Sequence, residues 1–277
     1  MNRFQQLARN GARPLVFGVV HLDALPGTPR HSKSLGQIAE KAKHEARILH
    51  EEGLDGIIVE NMGDIPFVRP AQSGPEIVSC MTRLALDVRR SVERAESMLW
   101  GISFLAACNN EALAVAQACD FDFVRAEGYV FAHIADEGFI DGCAGSLLRY
   151  RKKIAADHIA VLTDVKKKHS SHSITADVSL ASTVEAAEFF LTDGIVITGT
   201  ATGHAPKASL VEEAKRASRS GTPILVGSGV NWENVHEFMP HTDAFIVGSD
   251  LKMDGRWEND IERERVRRFV KSVRRGQ

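Results

Sequence analysis

Short runs of apolar residues alternate with longer amphipathic segments along the whole chain. Eight of these runs contain almost no polar positions, and they lie at residues 16–20, 56–59, 98–104, 121–124, 159–163, 194–197, 223–226 and 244–247. Nearly continuous apolar runs of this length are typical of parallel strands that are covered on both faces. The pattern therefore predicts eight buried strands.

Each run is followed by a segment with helical periodicity, most clearly at residues 34–52, 75–95 and 260–275. Ser182 and Ser209 each precede a glutamate by three residues, which predicts capping boxes at two further helices. Eight strand–helix units indicate one (β/α)8 or TIM barrel, whereas no glycine fingerprint supports the alternative, a doubly wound open sheet. We predict an α/β fold with a single domain over 1–277, a barrel over about 14–275 and an N-terminal extension over 1–13.

The composition, with 44% hydrophobic and 25% charged residues, is that of an ordinary globular protein. The 34 basic and 36 acidic residues nearly cancel, so we expect no nucleic-acid partner. No apolar run reaches the ~18 residues of a membrane helix, so we expect no membrane insertion. The four cysteines lack zinc-finger spacing, and without a signal-peptide pattern they indicate a cytoplasmic location. An arginine-rich, acid-free start leaves an organelle transit peptide as an alternative.

Polar residues follow the predicted strands at the end where barrel enzymes carry their active sites. The candidate catalytic residues there are His21, Glu60, Asn61, Arg125, Asp164, Lys166 and Lys168. His21 shares a strand face with Val19 and reaches the barrel mouth if that face points inward. Structural alternatives are a histidine bonded to loop backbone, an ion pair at Glu60, and a salt bridge between Arg125 and Glu127.

The segment after the fifth predicted strand, with Asp164 and three consecutive lysines, has the highest density of chemical groups. If the strand geometry persists, Asp164 and Lys166 share a face and Lys168 follows. A buried lysine can act as a base or as a Schiff-base nucleophile, whereas a solvated loop is the structural alternative. No compact ligand motif such as HxH or HExxH occurs, so we predict no cofactor and assign no metal ligand.

The loops after the last three predicted strands are rich in glycine, serine and threonine, and barrels often bind phosphate through backbone amides of such loops. The candidate phosphate-binding residues are Thr198, Gly199, Thr200, Gly203, Gly227, Ser228, Gly229, Gly248 and Ser249. Asp250 is a discordant neighbour, because a carboxylate repels phosphate. We expect it to contact a sugar hydroxyl or to cap the next helix.

Five segments in order resemble the BtpA/SgcQ family, namely GVVHLDALPGTP, GLDGIIVENMGDIPF, DVKKKHS, DGIVITGTATG and PILVGSGV. The resemblance implies a TIM barrel related to phosphate-binding barrels, with His21, Glu60 and Asp164 among the residues in its motifs. It does not imply one reaction. One branch is linked to biogenesis of the photosystem I reaction centre, and another resembles part of sugar-uptake gene clusters.

Three hypotheses follow. The leading one is a homo-oligomeric cytoplasmic enzyme that acts on a sugar phosphate or related phosphorylated small molecule by lyase- or isomerase-type acid–base chemistry. The second is an assembly or stability factor for a membrane complex, with the basic final helix as a docking surface for an anionic partner. The third is a hydrolase that holds a divalent metal with His21, Glu60, Asp164 and His169.

Overall fold

A computed structural model, which describes residues 1–275, confirms the predicted barrel. The strands are β1 (Leu15–His21), β2 (Gly56–Glu60), β3 (Leu99–Ser103), β4 (Phe123–Ala126), β5 (His133–Ala135), β6 (Gly138–Ile140), β7 (Ala160–Val165), β8 (Ser170–Ser171), β9 (Gly194–Ile197), β10 (Ile224–Val226) and β11 (Ala244–Val247). All except β5, β6 and β8 pair in parallel and close into one barrel, in the order β1-β11-β10-β9-β7-β4-β3-β2. The eight predicted strands are these eight, although β4 begins two residues later than predicted.

The chain contains nine described α-helices, of which the first precedes the first strand, the ninth follows the last strand, and the others lie in the connections between strands. They are α1 (Arg3–Asn10), α2 (Leu35–Glu51), α3 (Pro75–Arg90), α4 (Asn109–Ala118), α5 (Ala144–Lys153), α6 (Leu180–Phe189), α7 (Ala208–Ala217), α8 (Val235–Phe238) and α9 (Arg263–Arg275). None of these described helices is long and apolar enough to cross a bilayer.

Both predicted capping boxes are wrong. The cap of α6 is Ser179, whose hydroxyl accepts a hydrogen bond from the amide of Ser182 at 3.0 Å, so the helix begins before the predicted cap. Ser209 lies inside α7, because that helix begins at Ala208 after Lys207. In the described chain, no side chain caps the first turn of α7.

The N-terminal segment closes the lower end of the barrel rather than standing apart as an extension. Phe4 and Ala8 lie one turn apart on the buried face of α1. The fully buried ring of Phe4 packs against Phe17 of β1 and Phe123 of β4, with ring centroids 6.2 and 5.9 Å apart. The helix therefore covers the lower end of the barrel interior, and the polar residues that end β1–β4 lie at the opposite end.

Two long loops at the upper end join in a small antiparallel sheet. β5 and β6 form a hairpin within the loop that follows β4, and β5 also pairs with β8 in the loop that follows β7. The sequence pattern did not predict these strands, because segments of two or three residues carry too little alternation to detect. The sheet fixes one loop against the other beside the barrel mouth.

Candidate active site

The polar residues that end β1 to β4 form one row at the barrel mouth, the end defined by the carboxyl ends of the strands. The strand register places His21 beside Glu60, Glu60 beside Ser103, and Ser103 beside Arg125. Val19, two residues before His21, belongs to the barrel interior. Because side chains alternate along a strand, this row also points into the barrel. Ser103 was not among the site residues predicted from the sequence.

Arg125 is the central cation of this row. Its Nε and Nη2 atoms each donate a 2.9 Å hydrogen bond to the carboxylate of Asp164, and its Nη1 lies 3.9 Å from Oε2 of Glu60. The suggested salt bridge between Arg125 and Glu127 does not form, since Glu127 pairs with Lys167 at 3.0 Å. Asp164 thus holds the guanidinium at the mouth in a fixed orientation.

His21 and Glu60 are adjacent, with Nε2 and Oε1 3.7 Å apart, and each side chain is only 9% exposed. Burial raises the pKa of Glu60, although Arg125 and Lys168 oppose this effect. Burial, together with the positive charges of Lys252 and Lys168, lowers the pKa of His21 well below its usual value. The imidazole is therefore neutral, and the carboxyl pKa is moved towards the range in which proton transfer is efficient at neutral pH.

The three consecutive lysines point to three different places. Lys166 has a φ of +47°, which ends the strand geometry after Val165, and its Nζ donates to the carbonyl of Thr175 at 3.3 Å. Lys168 instead reaches the mouth, where its Nζ lies 3.4 Å from Oγ1 of Thr202. The strand geometry on which the pairing of Asp164 and Lys166 on one face depended therefore does not persist. The two residues still line a small cavity beside the barrel, but Lys166 does not reach the mouth.

Asn61 also lies away from the mouth. As the residue after Glu60, it points to the opposite side of β2. Its side-chain amide donates to Asp64 at 2.9 Å, and its carbonyl oxygen accepts from the amide of Leu105 at 2.8 Å. These bonds connect the loops that follow β2 and β3, which is a structural role.

The mouth encloses a cavity of ≈ 200 Å³. The predicted candidates that line it are His21, Glu60, Arg125, Lys168, Gly203, Gly227, Ser228, Gly229, Gly248 and Ser249. The cavity is also lined by Asp250 and by residues that were not predicted site residues, namely Val19, Met62, Thr202, Val230, Asn231, Ile246, Val247 and Gly255. Thr202 and Asn231 belong to the polar loops after β9 and β10, so an inspection of whole loops would have included them.

The glycine-rich loops after β10 and β11 contribute Ser228, Gly229, Gly248 and Ser249 to the lining of this cavity. Within residues 1–275, the amide groups of Ser228, Gly229, Gly248 and Ser249 donate to no protein acceptor. Gly229 has a φ of +65°, and a Cβ at this position would collide with the backbone of Ala205. The loop after β10 can therefore pack against the loop after β9 only with glycine at this position.

Thr198, Gly199 and Thr200 lie behind the cavity wall. The hydroxyl of Thr198 accepts a 2.9 Å hydrogen bond from the amide of Lys168, and the amide of Gly199 donates to the hydroxyl of Ser228 at 2.8 Å. The carbonyl of Thr200 accepts from the amide of His169 at 3.3 Å. These three residues position the neighbouring loops and do not face the cavity.

Asp250 stands next to the amide-rich loop, where a negative charge opposes anion binding. Arg265 of α9 compensates for that charge, since its guanidinium donates to Oδ1 of Asp250 at 3.1 Å. Burial raises the pKa of Asp250, against the opposing effect of Arg265. Both effects reduce the repulsion that Asp250 would exert on a bound phosphate.

Other basic residues of α9 also have partners within the chain. Arg263 pairs with Glu51 and Glu52 of the α2 segment, and Arg267 pairs with Glu52. Of the four proposed metal ligands, only His21 and Glu60 lie next to each other. Across the described residues no three His, Cys, Asp or Glu side chains are grouped to hold a metal ion. His169 is exposed and contacts Thr202 instead.

Comparisons with known proteins agree with this architecture. The chain is 49% identical over 266 residues to a Caenorhabditis elegans protein described as uncharacterized and mitochondrial, covering 95% of this chain and 94% of that one. It is 35% identical to the photosystem I biogenesis protein BtpA of Synechocystis, covering 94% and 88% of the two chains.

Among solved structures, thiamine phosphate pyrophosphorylase from Pyrococcus furiosus superimposes with a TM-score of 0.59 at 13% identity, covering 94% of this chain and 96% of that one. This likeness shows a shared barrel fold. The model of the BtpA family matches residues 12–275. Nearly the whole barrel, including every residue that lines the mouth, is within that match. The chain therefore belongs to the BtpA family.

Proposed function

We propose that the protein is an enzyme that binds a sugar phosphate or related phosphorylated small molecule and acts on it by acid–base chemistry of the lyase or isomerase type. One observation carries the proposal. Amides without a protein acceptor and five ionisable side chains, one of them Asp250, line the same cavity at the catalytic end of a TIM barrel. The amides supply a site for an anion, and the side chains supply proton transfer beside it.

The phosphate has a natural position. In TIM barrels phosphate groups are frequently bound by the loops after the seventh and eighth strands, which here are the loops after β10 and β11. Ser228, Gly229, Gly248 and Ser249 would donate their amides to its oxygens. Thiamine phosphate pyrophosphorylase, which shares the barrel fold, is named for a phosphorylated compound, and this is consistent with a phosphate site here.

The reacting carbons would then lie over the row that ends β1 to β4. Glu60 is suited to donate a proton, because burial raises its pKa, and Lys168 is suited to accept one, because burial lowers its pKa. Arg125, fixed by Asp164, would stabilise negative charge that develops on a substrate oxygen. Neutral His21 completes the wall next to Glu60.

Titration of the ¹⁵N-labelled protein with inorganic phosphate, sugar phosphates and the matching unphosphorylated sugars tests the proposal. We expect the amide signals of Ser228, Gly229, Gly248 and Ser249 to move with every phosphorylated compound. The signal of Gly221, in an exposed turn, should not move, and neither should any signal with the free sugars. If no phosphorylated compound moves the four amides or raises the unfolding temperature, the proposal is wrong.

A second candidate function is supported by the named Synechocystis relative, whose similarity extends over nearly the whole chain. In that case the barrel would serve as a scaffold in the assembly of a membrane complex. A matched pair of variants separates the two functions, because Glu60→Gln and Lys168→Met remove proton transfer without altering the outer helices. Complex assembly that survives both variants in the native host favours the scaffold, and its loss favours catalysis.

A further inference from the structure

Lys168, which is half-buried at the mouth, differs from the two buried lysines by its lack of an acidic partner. Lys167 pairs with Glu127, and Lys252 pairs with Glu45 at 2.7 Å. In the described part of the chain no carboxylate oxygen lies within 4.0 Å of Nζ of Lys168, whose nearest polar contact is Thr202. An ammonium group that is partly removed from water without a paired anion is less stable than one in water, so this position increases the fraction of neutral amine.

We propose that Lys168 forms an imine with the carbonyl carbon of an open-chain sugar phosphate, which narrows the substrates to phosphorylated aldehydes and ketones. The inference rests on the proposed function, since phosphate binding by the glycine-rich loops would present the carbonyl carbon to the amine. Lys168, Gly203 and Gly229 all line the one cavity, so a small molecule can contact the amine and the amides together.

The step balances without a cofactor. The lone pair of neutral Nζ attacks the carbonyl carbon while the C=O π electrons move to oxygen, and a proton shift from nitrogen to oxygen gives a carbinolamine. The C–O bond then breaks as the nitrogen lone pair forms the C=N bond. The departing hydroxyl takes a proton from the carboxyl group of Glu60 and leaves as water.

The surroundings suit both partners of this step. Burial and the charge of Arg125 lower the pKa of Lys168, so a larger fraction of the amine is neutral and nucleophilic. Burial raises the pKa of Glu60, which keeps a proton available for the departing oxygen. Thr202, which contacts Nζ at 3.4 Å, can orient the amine.

Borohydride trapping tests the inference. The full-length protein is incubated separately with glyceraldehyde 3-phosphate and ribulose 5-phosphate, reduced with sodium borohydride, and analysed by intact mass and by peptide mapping. We expect a single adduct on Lys168. Excess inorganic phosphate should suppress it, and unphosphorylated glyceraldehyde at the same concentration should not produce it.

Lys166→Met is the matched control, because Lys166 is two residues away and does not line the cavity. The adduct should persist in Lys166→Met and disappear in Lys168→Met. Lys168→Arg keeps the positive charge but cannot form the imine, so it should also lose the adduct while retaining the shifts of the four loop amides with inorganic phosphate. That retention shows that the variant is folded.

The outcomes separate the two proposals. If inorganic phosphate moves the four amides but neither probe gives an adduct on Lys168, the imine inference is wrong and the proposed function stands. An adduct distributed over exposed lysines also contradicts the imine inference. If neither phosphate nor the probes affect the amides, the proposed function fails as well.

Discussion

Nζ of Lys252 donates to both carboxylate oxygens of Glu45, at 2.7 and 2.8 Å, and neither side chain is exposed to solvent by more than 1%. The pair joins the middle of α2 to the segment that follows β11. Oε1 of Glu45 also accepts a 3.3 Å hydrogen bond from the amide of Ile261. Because the two residues are far apart in the chain, their contact fixes the last part of the barrel against α2.

Removing one member of this pair should destabilise the protein strongly. Lys252→Met leaves a carboxylate buried without its cation, and we expect it to lower the free energy of unfolding by about 3–5 kcal/mol. The double variant with Glu45→Leu should recover most of that loss, because no isolated charge remains. Urea unfolding measures both values. An exposed pair, Lys152 and Asp157, is the control, and its disruption should cost less than about 1 kcal/mol. Equal losses in the single and double variants would contradict the prediction.

Glycine at position 229 should be necessary for phosphate binding. Gly229→Ala places a residue with a side chain in the left-handed region and brings its Cβ into the backbone of Ala205. We therefore expect a loss of stability and an affinity for inorganic phosphate that is about tenfold weaker. Gly221 also has a positive φ, of +68°, but a Cβ there meets open space. Gly221→Ala should therefore cost only about 1–2 kcal/mol and leave affinity unchanged. Calorimetric titration measures affinity, and unaltered phosphate binding by Gly229→Ala would refute the assignment of this loop.

Asp164 should act on chemistry only through Arg125. Asp164→Asn replaces one of the two oxygen acceptors of the guanidinium with an amide nitrogen, which allows Arg125 to move from its position near Glu60. Misplacement by about 1 Å can slow a reaction about 100-fold, and we expect a decrease of this order in the rate of adduct formation at Lys168. Binding of inorganic phosphate, measured by the loop amide shifts, should remain. A parallel loss of both would indicate general unfolding instead.

Acid should destabilise the fold partly through His133, a buried residue of β5 in the small sheet. Burial, assisted by Lys167 and His172 and opposed by Glu127, lowers the pKa of His133 to about 4. The unfolded chain, with an ordinary histidine pKa of about 6.5, binds a proton on this residue that the folded chain does not bind. Stability should therefore decrease as pH falls from about 6.5 to 4, and buried His21 contributes with the same sign.

His133→Phe keeps the size of the side chain and removes its titration. The slope of unfolding free energy against pH is proportional to the difference in bound protons between the unfolded and folded states. Between about pH 4 and 6.5 we expect the variant to decrease that difference by as much as one proton. The exposed His158 provides a comparison, and His158→Gln should leave the slope unchanged. Chemical denaturation at several pH values gives the slopes. Identical slopes for wild type and His133→Phe would exclude His133 as a source of acid sensitivity.

Local pattern determined the barrel because burial on both faces of a parallel strand leaves a nearly continuous apolar run, and each run here corresponds to one strand. The same alternation predicts that the side chains of His21, Glu60 and Arg125 point into the mouth, since a residue two positions after an inward side chain also points inward. It succeeded while the chain stayed extended. Lys166 departs from the prediction at the residue where φ becomes positive, and no periodicity encodes that turn.

The sequence by itself therefore determined the fold class, the strand ends that meet at the mouth and the loops rich in free amides. Only the tertiary structure decided which groups pair: Asp164 with Arg125, Glu127 with Lys167, and Asn61 with Asp64. Within residues 1–275 it left Lys168 without a carboxylate partner. The reason is physical. Periodicity sets the direction of a side chain relative to its own strand, whereas an ion pair depends on the distance between loops that are far apart in the chain, and that distance is set by the packing of the closed barrel.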